Sequence, residues 1–199
     1  MIFVGLDLAW KGKKNGVCIC KSRSIVIAKV LNEEQLFIFL NQLNEPNLIF
    51  IDAPLRVPIK GMRKIDLKLR SIYKIGVLPA NRKLYPYYFP EKAVAFLLKK
   101  GYRELPDSWP FEEGFYYAES FPSLIAKLWF GKRPETLEDY FKQLSRFLQN
   151  LKSIREDRKT YLPHLLDAAL LACFAERAFT RGEFRVVTDE DGRIFVPAC

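Results

Sequence analysis

Ile2-Phe3-Val4-Gly5-Leu6-Asp7 holds no polar residue until its closing acid. A continuous apolar run of this length reads as a strand buried on both faces in the middle of a sheet, because a strand with one wet face would alternate. Asp7 then stands at the carboxyl end of that strand. Three other carboxylates share the situation: Asp52 closes Leu48-Ile49-Phe50-Ile51, Glu119 closes Phe115-Tyr116-Tyr117-Ala118, and Asp167 lies within Leu165-Leu166-Asp167-Ala168-Ala169-Leu170. Burying an ionised carboxylate without a partner is costly or shifts its pKa, so a fold that gathers several must supply cations or neutralise some of them. A divalent metal site meets that need.

Working outward from the first strand, Asn15-Gly16 turns into Val17-Cys18-Ile19-Cys20, a short polar turn spans 21–23, and 24–30 completes an antiparallel three-strand meander. The period then changes. Asn32 with Gln35 three residues later forms a capping-box pattern, and Leu36, Phe37, Phe39, Leu40 and Leu43 supply a helical apolar face. Residues 47–52 read as strand four. A helix over 62–75 carries the stripe Met62, Ile65, Leu69 and Ile72, with Arg63, Asp66, Arg70 and Lys74 on its other face. Another helix is expected over 90–100, a loop over 105–110, a fifth strand over 114–119, and helices near 135–150 and 160–180. Residues 184–196 read as a hairpin turning at Asp191-Gly192.

The resulting order βββαβαβα is that of the ribonuclease H fold. It predicts one α/β domain over residues 1–199, with a five-stranded mixed sheet in the order 3-2-1-4-5 flanked by helices. A basic helical insertion at about 55–113 and a C-terminal hairpin complete the expectation. Right-handed crossovers make strands one, four and five parallel. Asp7, Asp52 and Glu119 then share the carboxyl edge, where open α/β sheets bind ligands.

Composition sets the class. At 199 residues, 49% hydrophobic and 28% charged, the chain has apolar material for one substantial core. No apolar stretch approaches the roughly 20 residues of a membrane span, and no basic leader with a cleavage site opens the chain. A cytoplasmic protein without a membrane partner is expected. Cys18, Cys20, Cys173 and Cys199 make no Cys-x-x-Cys pair, and His164 is the sole histidine, which leaves a structural zinc almost no ligand set. Cys18 and Cys20 read as core on one side of a strand, and no disulfide is expected.

Net charge is +9, and residues 55–104 hold thirteen Lys and Arg against three acids. The whole excess sits in that segment. Tyr73, Tyr85, Tyr87, Tyr88, Phe89 and Tyr102 lie within it, so cations for phosphates alternate with rings on which bases can stack. Nucleic acid is the partner this composition favours over a plain solvated surface.

Gly5-Leu6-Asp7-Leu8-Ala9-Trp10, Ile51-Asp52-Ala53-Pro54-Leu55, Arg63-x-x-Asp66 with Arg70, Glu119-Ser120-Phe121-Pro122 and Asp167-Ala168-Ala169-Leu170 together resemble a widespread uncharacterised family described as predicted nucleases of ribonuclease H-like fold. The resemblance spans nearly the whole chain. His164-Leu165-Leu166-Asp167 looks like the His-x-x-Asp pair of Holliday-junction resolvases, and a spacing of three puts both side chains on one helix face. The first helix lacks the metal-binding Glu of ribonuclease H itself, offering only Glu33 and Glu34 in its first turn.

The resemblance implies a metal-dependent nuclease in which Asp7, Asp52, Glu119 and Asp167 bind Mg²⁺ or Mn²⁺, the hard ions that all-oxygen ligands favour. Lys11, Arg63, Arg70 and His164 would serve the substrate, with no organic cofactor. Each residue also has a structural alternative. Asp7 can cap the strand-to-loop turn, Asp52 before Ala-Pro can make an Asx-turn, and Glu119 can sit at the positive end of a helix starting near Pro122. Arg63, Asp66 and Arg70 can be a helix-face ion-pair set, and Lys11 a solvated turn residue. A non-catalytic nucleic-acid or protein-binding module keeps the acids as caps. An actin-like phosphotransferase is disfavoured, because Leu8-Ala9-Trp10 follows the first-strand acid where that class needs small phosphate-cradling residues.

Overall fold

The computed structural model describes residues 1–77, 79–151, 154 and 162–198. The chain opens with the expected meander, β1 (Ile2–Asp7), β2 (Asn15–Lys21) and β3 (Ser24–Leu31). Helix α1 (Glu33–Gln42) follows, started by the capping box: Gln35 N–H donates to Asn32 Oδ1 and Asn32 N–H to Gln35 Oε1. Then come β4 (Asn47–Asp52), α2 (Lys64–Tyr73), α3 (Phe89–Lys99), β5 (Arg103–Glu104) and β6 (Phe115–Glu119). Helices α4 (Pro122–Phe130), α5 (Leu137–Leu144) and α6 (Leu162–Arg181) precede the hairpin β7 (Phe184–Asp189) and β8 (Gly192–Pro197). The expected helix over 160–180 begins partly outside the described residues.

The sheet is mixed, in the order β3-β2-β1-β4-β6-β5. Strands β1, β2 and β3 pair antiparallel, and β1, β4, β6 and β5 run parallel. The five expected strands hold their order, with β6 as the fifth. A sixth strand corrects the expectation of five: Arg103 and Glu104 leave α3 alongside β6 and pair with Tyr116 and Tyr117. Two residues carry no periodicity from which a strand can be read.

Alternation along the strands sorts the sheet into two faces. Phe3, Cys18, Cys20, Leu48, Phe50, Tyr116 and Ala118 pack against α4, α5 and α6. Val4, Leu6, Val17, Ile19, Ile49, Ile51 and Tyr117 pack against Leu36 and Leu40 of α1 and Phe89, Ala93 and Leu97 of α3. Helix α3 is therefore one of the layers over the sheet, although it lies inside the basic segment. Cys18, Cys20 and Cys173 are buried free thiols. Among the described residues, no helix is long and apolar enough to cross a membrane.

The hairpin secures α2. Arg63 at the start of α2 offers no side-chain cap, and Asp191 in the β7–β8 turn supplies one, its carboxylate accepting from the Lys64 and Ile65 amides. Ile65 and Leu69 then bury against Leu124, Val187, Ile194 and Val196. The expected stripe on α2 is shifted: Ile72 is exposed, whereas Arg63 and Asp66 are buried.

Helix α6 lies on the sheet with backbone against backbone. A methyl built on Gly5 would stand 1.8 Å from the Ala168 carbonyl oxygen, and one on Gly16 would stand 2.3 Å from that of His164. Only residues without a side chain admit the helix at these two places. Gly5→Ala is therefore expected to destabilise the protein by about 3 kcal/mol, the upper end of the overpacking range, because the obstacle is helix backbone. In thermal melts that is a loss of roughly 6–12 °C. An unchanged melting temperature would show that α6 sits farther from the sheet.

Candidate functional site

Asp7 and Asp52 occupy the same register position at the carboxyl ends of the adjacent parallel strands β1 and β4. Neighbouring strands lie about 5 Å apart, so the two carboxylates stand side by side. Alternation from Phe3 and Gly5, and from Leu48 and Phe50, turns both toward α6. There Asp7 Oδ2 accepts from His164 Nδ1 at 2.6 Å. Asp167, one turn farther along α6, accepts from the Tyr140 hydroxyl at 2.7 Å and from Arg133 Nη2 at 2.9 Å. Arg133 is steadied by a 2.6 Å bond to Ser123 Oγ.

The charges at this edge are poorly balanced. Asp52 keeps some exposure as a residue, but its carboxyl group is enclosed, and it has no hydrogen-bond or ion-pair partner among the described residues. Its pKa is pushed well above the usual carboxylate range by burial, and further by Asp7 and Asp167. Burial also raises Asp167 to about 6, against the opposing pull of Arg133. The bond to Asp7 raises His164, with burial opposing.

Glu119 belongs to a different constellation. Its partner in register is Ile51, so it points to the face opposite Asp7 and Asp52. There it meets Arg63 end-on: Nη1 donates to Oε2 at 2.9 Å and Nη2 to Oε1 at 2.5 Å, while the Leu55 amide adds a third bond at 2.9 Å. Arg63 also donates to both oxygens of Asp66, at 3.0 and 2.7 Å. All three side chains are almost fully buried. Burial works against the Arg63 charge, and the two carboxylates outweigh it, so the guanidinium stays protonated. Burial raises Glu119, with Arg63 opposing. Arg63 thus turns inward to two carboxylates.

Arg70 is exposed on α2, its guanidinium against Met62 Sδ at 3.8 Å. Lys11 is exposed in the loop after β1, without a partner among the described residues. The structure therefore gathers Asp7, Asp52, Asp167 and His164, and leaves Glu119, Arg63 and Arg70 apart from them. Arg133 and Tyr140 join the group unforeseen, because nothing in Gly131-Lys132-Arg133-Pro134 or in the α5 pattern signals a partner for Asp167. Tyr88 is another such neighbour, a buried hydroxyl without a hydrogen-bond partner among the described residues, raised by burial and by the nearby charges of Glu119 and Asp52.

Among the described residues, no three His, Cys, Asp or Glu side chains are grouped so as to hold a metal ion. Asp7 is engaged by His164, and Asp167 by Tyr140 and Arg133. No protein-family model matches the chain, and no curated protein matches its sequence.

Two outcomes follow from this electrostatic division. Arg63→Met strands two buried carboxylates and should cost about 3–5 kcal/mol, read by chemical denaturation. Asp52→Asn removes an unpaired charge and should raise the melting temperature in EDTA. The sign is set by the raised pKa of Asp52: its ionised form is disfavoured in the folded state, so stability present below pH 4 is lost as pH rises through the folded-state pKa. The gain from Asp52→Asn should accordingly be largest at alkaline pH and vanish in acid. A loss of stability at pH 8 would give Asp52 a structural partner.

Proposed function

We propose that this chain is a metal-dependent nuclease of ribonuclease H-like fold, hydrolysing phosphodiester bonds of nucleic acid in the cytoplasm with Mg²⁺ or Mn²⁺ and no organic cofactor. The observation that carries the reading is the pair Asp7 and Asp52, side by side on adjacent parallel strands and facing Asp167 and His164, with Asp52 lacking a hydrogen-bond or ion-pair partner among the described residues. A three-strand meander continued on its far side by parallel strands supports the fold assignment, as does the family resemblance of the acidic motifs.

The donor set suits a hard divalent ion. It offers carboxylate oxygens whose mutual repulsion a cation would relieve. Asp7 and Asp52 would hold the ion, with Asp167 joining if it releases Arg133. When bound, the ion would acidify a water and offset charge on the phosphate. The chain's own residues supply the remainder. The phosphorus gains a bond to the water oxygen as the bond to its leaving oxygen breaks, giving a phosphomonoester and an alcohol. His164, hydrogen-bonded to Asp7, can hand a proton to the leaving oxygen, while the attacking water gives up its own proton to solvent, from which His164 is reprotonated. Arg133, half-exposed beside Asp167, and Lys11 can meet the phosphate oxygens.

Because no three ligands are grouped in advance among the described residues, a second reading is a nucleic-acid-binding module that does not cleave. Metal and activity measurements separate the two. In thermal melts, millimolar Mn²⁺ at about a hundred times its Kd should add about 2.7 kcal/mol relative to EDTA, a rise of roughly 5–10 °C. Asp52→Asn should abolish that rise, whereas Glu119→Gln should keep it while lowering the baseline stability. Asp7→Asn and Asp167→Asn should each reduce cleavage at least about a hundredfold with binding retained. Equal cleavage by wild type and variants would assign the activity elsewhere. Binding without cleavage by any of them, and no response to Mn²⁺, would favour the module.

A further inference from the structure

The loops that leave β1 and β4 at the carboxyl edge are joined to a third segment, 81–89, in one platform. The Arg82 and Lys83 amides donate to the Pro58 and Ile59 carbonyls, each at 2.9 Å. Buried Asn81 adds a second tie, its Nδ2 donating to the Gly61 carbonyl at 2.9 Å while its Oδ1 accepts from the Leu84 amide at 3.0 Å. On the opposite side the Phe89 amide donates to the Trp10 carbonyl at 3.0 Å, and the Trp10 ring meets Tyr85 edge-on with centroids 4.2 Å apart. The loop after β1 is itself held by Asn15, which accepts from Ala9 N–H and donates to the Gly12 and Leu31 carbonyls.

Two kinds of side chain leave this platform. Lys11, Lys13, Arg56, Lys60 and Lys83 are exposed, and none has an acidic partner among the described residues. Between them stand two large aliphatic side chains, Ile59 at 79% exposure and Leu84 at 56%. The rings that composition suggested for stacking are mostly withdrawn. Tyr88, Phe89 and Tyr102 are buried, Tyr85 is occupied by Trp10, and the Tyr87 ring is covered by Lys92 with its hydroxyl bonded to Glu33.

Unpaired cations are enough to hold the outside of a duplex, whose phosphates are exposed and whose base faces are stacked away. Aliphatic tips add nothing to that contact. A strand with unpaired bases presents both partners at once, phosphates for the cations and base faces for apolar side chains. We infer that the platform binds single-stranded nucleic acid, its phosphates against Lys11, Arg56, Lys60 and Lys83 and its bases over Ile59 and Leu84. A strand held there runs along the edge on which Asp7 and Asp52 stand. The inference rests on the nucleic-acid reading above and adds the strand state of the substrate.

The test measures binding in EDTA, where cleavage plays no part, by fluorescence anisotropy with a labelled single strand and with the duplex of the same sequence. Wild type should bind the single strand more tightly. The exposed double variant Ile59→Ser with Leu84→Ser should lose roughly tenfold on the single strand and nothing on the duplex. Lys60→Glu with Lys83→Glu should weaken both and flatten the salt dependence. Equal wild-type affinity for the two forms, or an unchanged single-strand affinity in the aliphatic variant, overturns the inference while the nuclease reading stands. Absence of binding to either form overturns both. Phosphatidylserine vesicles form a third arm: if they bind wild type and compete away the single strand, the aliphatic tips serve a lipid surface and the inference fails.

Discussion

The approach of helix α6 to the sheet is the constraint on which the rest of this structure depends. Two strands give up a side chain so that helix backbone can touch sheet backbone, at Gly5 and at Gly16. Gly16 is also the cross-strand partner of Asp7. The helical residue whose carbonyl rests over Gly16 is His164, so the glycine that admits the helix also brings His164 beside Asp7. Asp167 follows one turn later on the same face. Ala168, Ala169 and Ala172 keep the surrounding helix surface low enough for this docking. The acidic edge is therefore a consequence of how closely two backbones approach.

Two electrostatic arrangements occupy the two sides of that sheet end. Behind it, Arg63 holds Glu119 and Asp66 with four hydrogen bonds among nearly fully buried side chains. Such a set, nearly fully buried, is costly to break. In front, Asp7, Asp52 and Asp167 share one imidazole and one half-exposed guanidinium. Of the two, the under-compensated group is the one with raised carboxylates facing a neighbouring histidine, the pattern associated with chemistry.

The basic segment divides in a similar way. Part of its charge is structural: Arg63 is buried, Lys68 donates to the Thr188 carbonyl at 2.7 Å, and Lys100 caps α1 through the Leu40 and Asn41 carbonyls at 3.0 and 2.8 Å. These cations hold α2 to the hairpin and α3 to α1. Lys64, Arg82 and Lys92 pair with Glu190, Glu91 and Glu33, whereas Arg56, Lys60 and Lys83 have no acidic partner among the described residues. Bulk composition therefore overstates the surface available to a polyanion, and hydrogen-bond geometry shows where that surface lies.

Much of the fold was legible because the signals are local. The capping box of α1, the meander, the C-terminal hairpin, whose turn falls at Glu190-Asp191 one residue before the Asp191-Gly192 expected, and the apolar runs ending in Asp7 and Asp52 each depend on residues within a few positions of one another. Spacing alone put His164 and Asp167 on one helix face. Tertiary structure decided which acids meet. Side chains alternate with a period of two, so the register pairing Ile51 with Glu119 sends Glu119 to the opposite face from Asp52, and a shift of one residue would have reversed this. No local pattern encodes that register. The inward turn of Arg63, the distant cap from Asp191 and the arrival of Arg133 and Tyr140 at Asp167 likewise join residues 27 to 127 positions apart. Contacts of that kind arise from packing the layers together, which is why the acids could be read from the sequence and their partners could not.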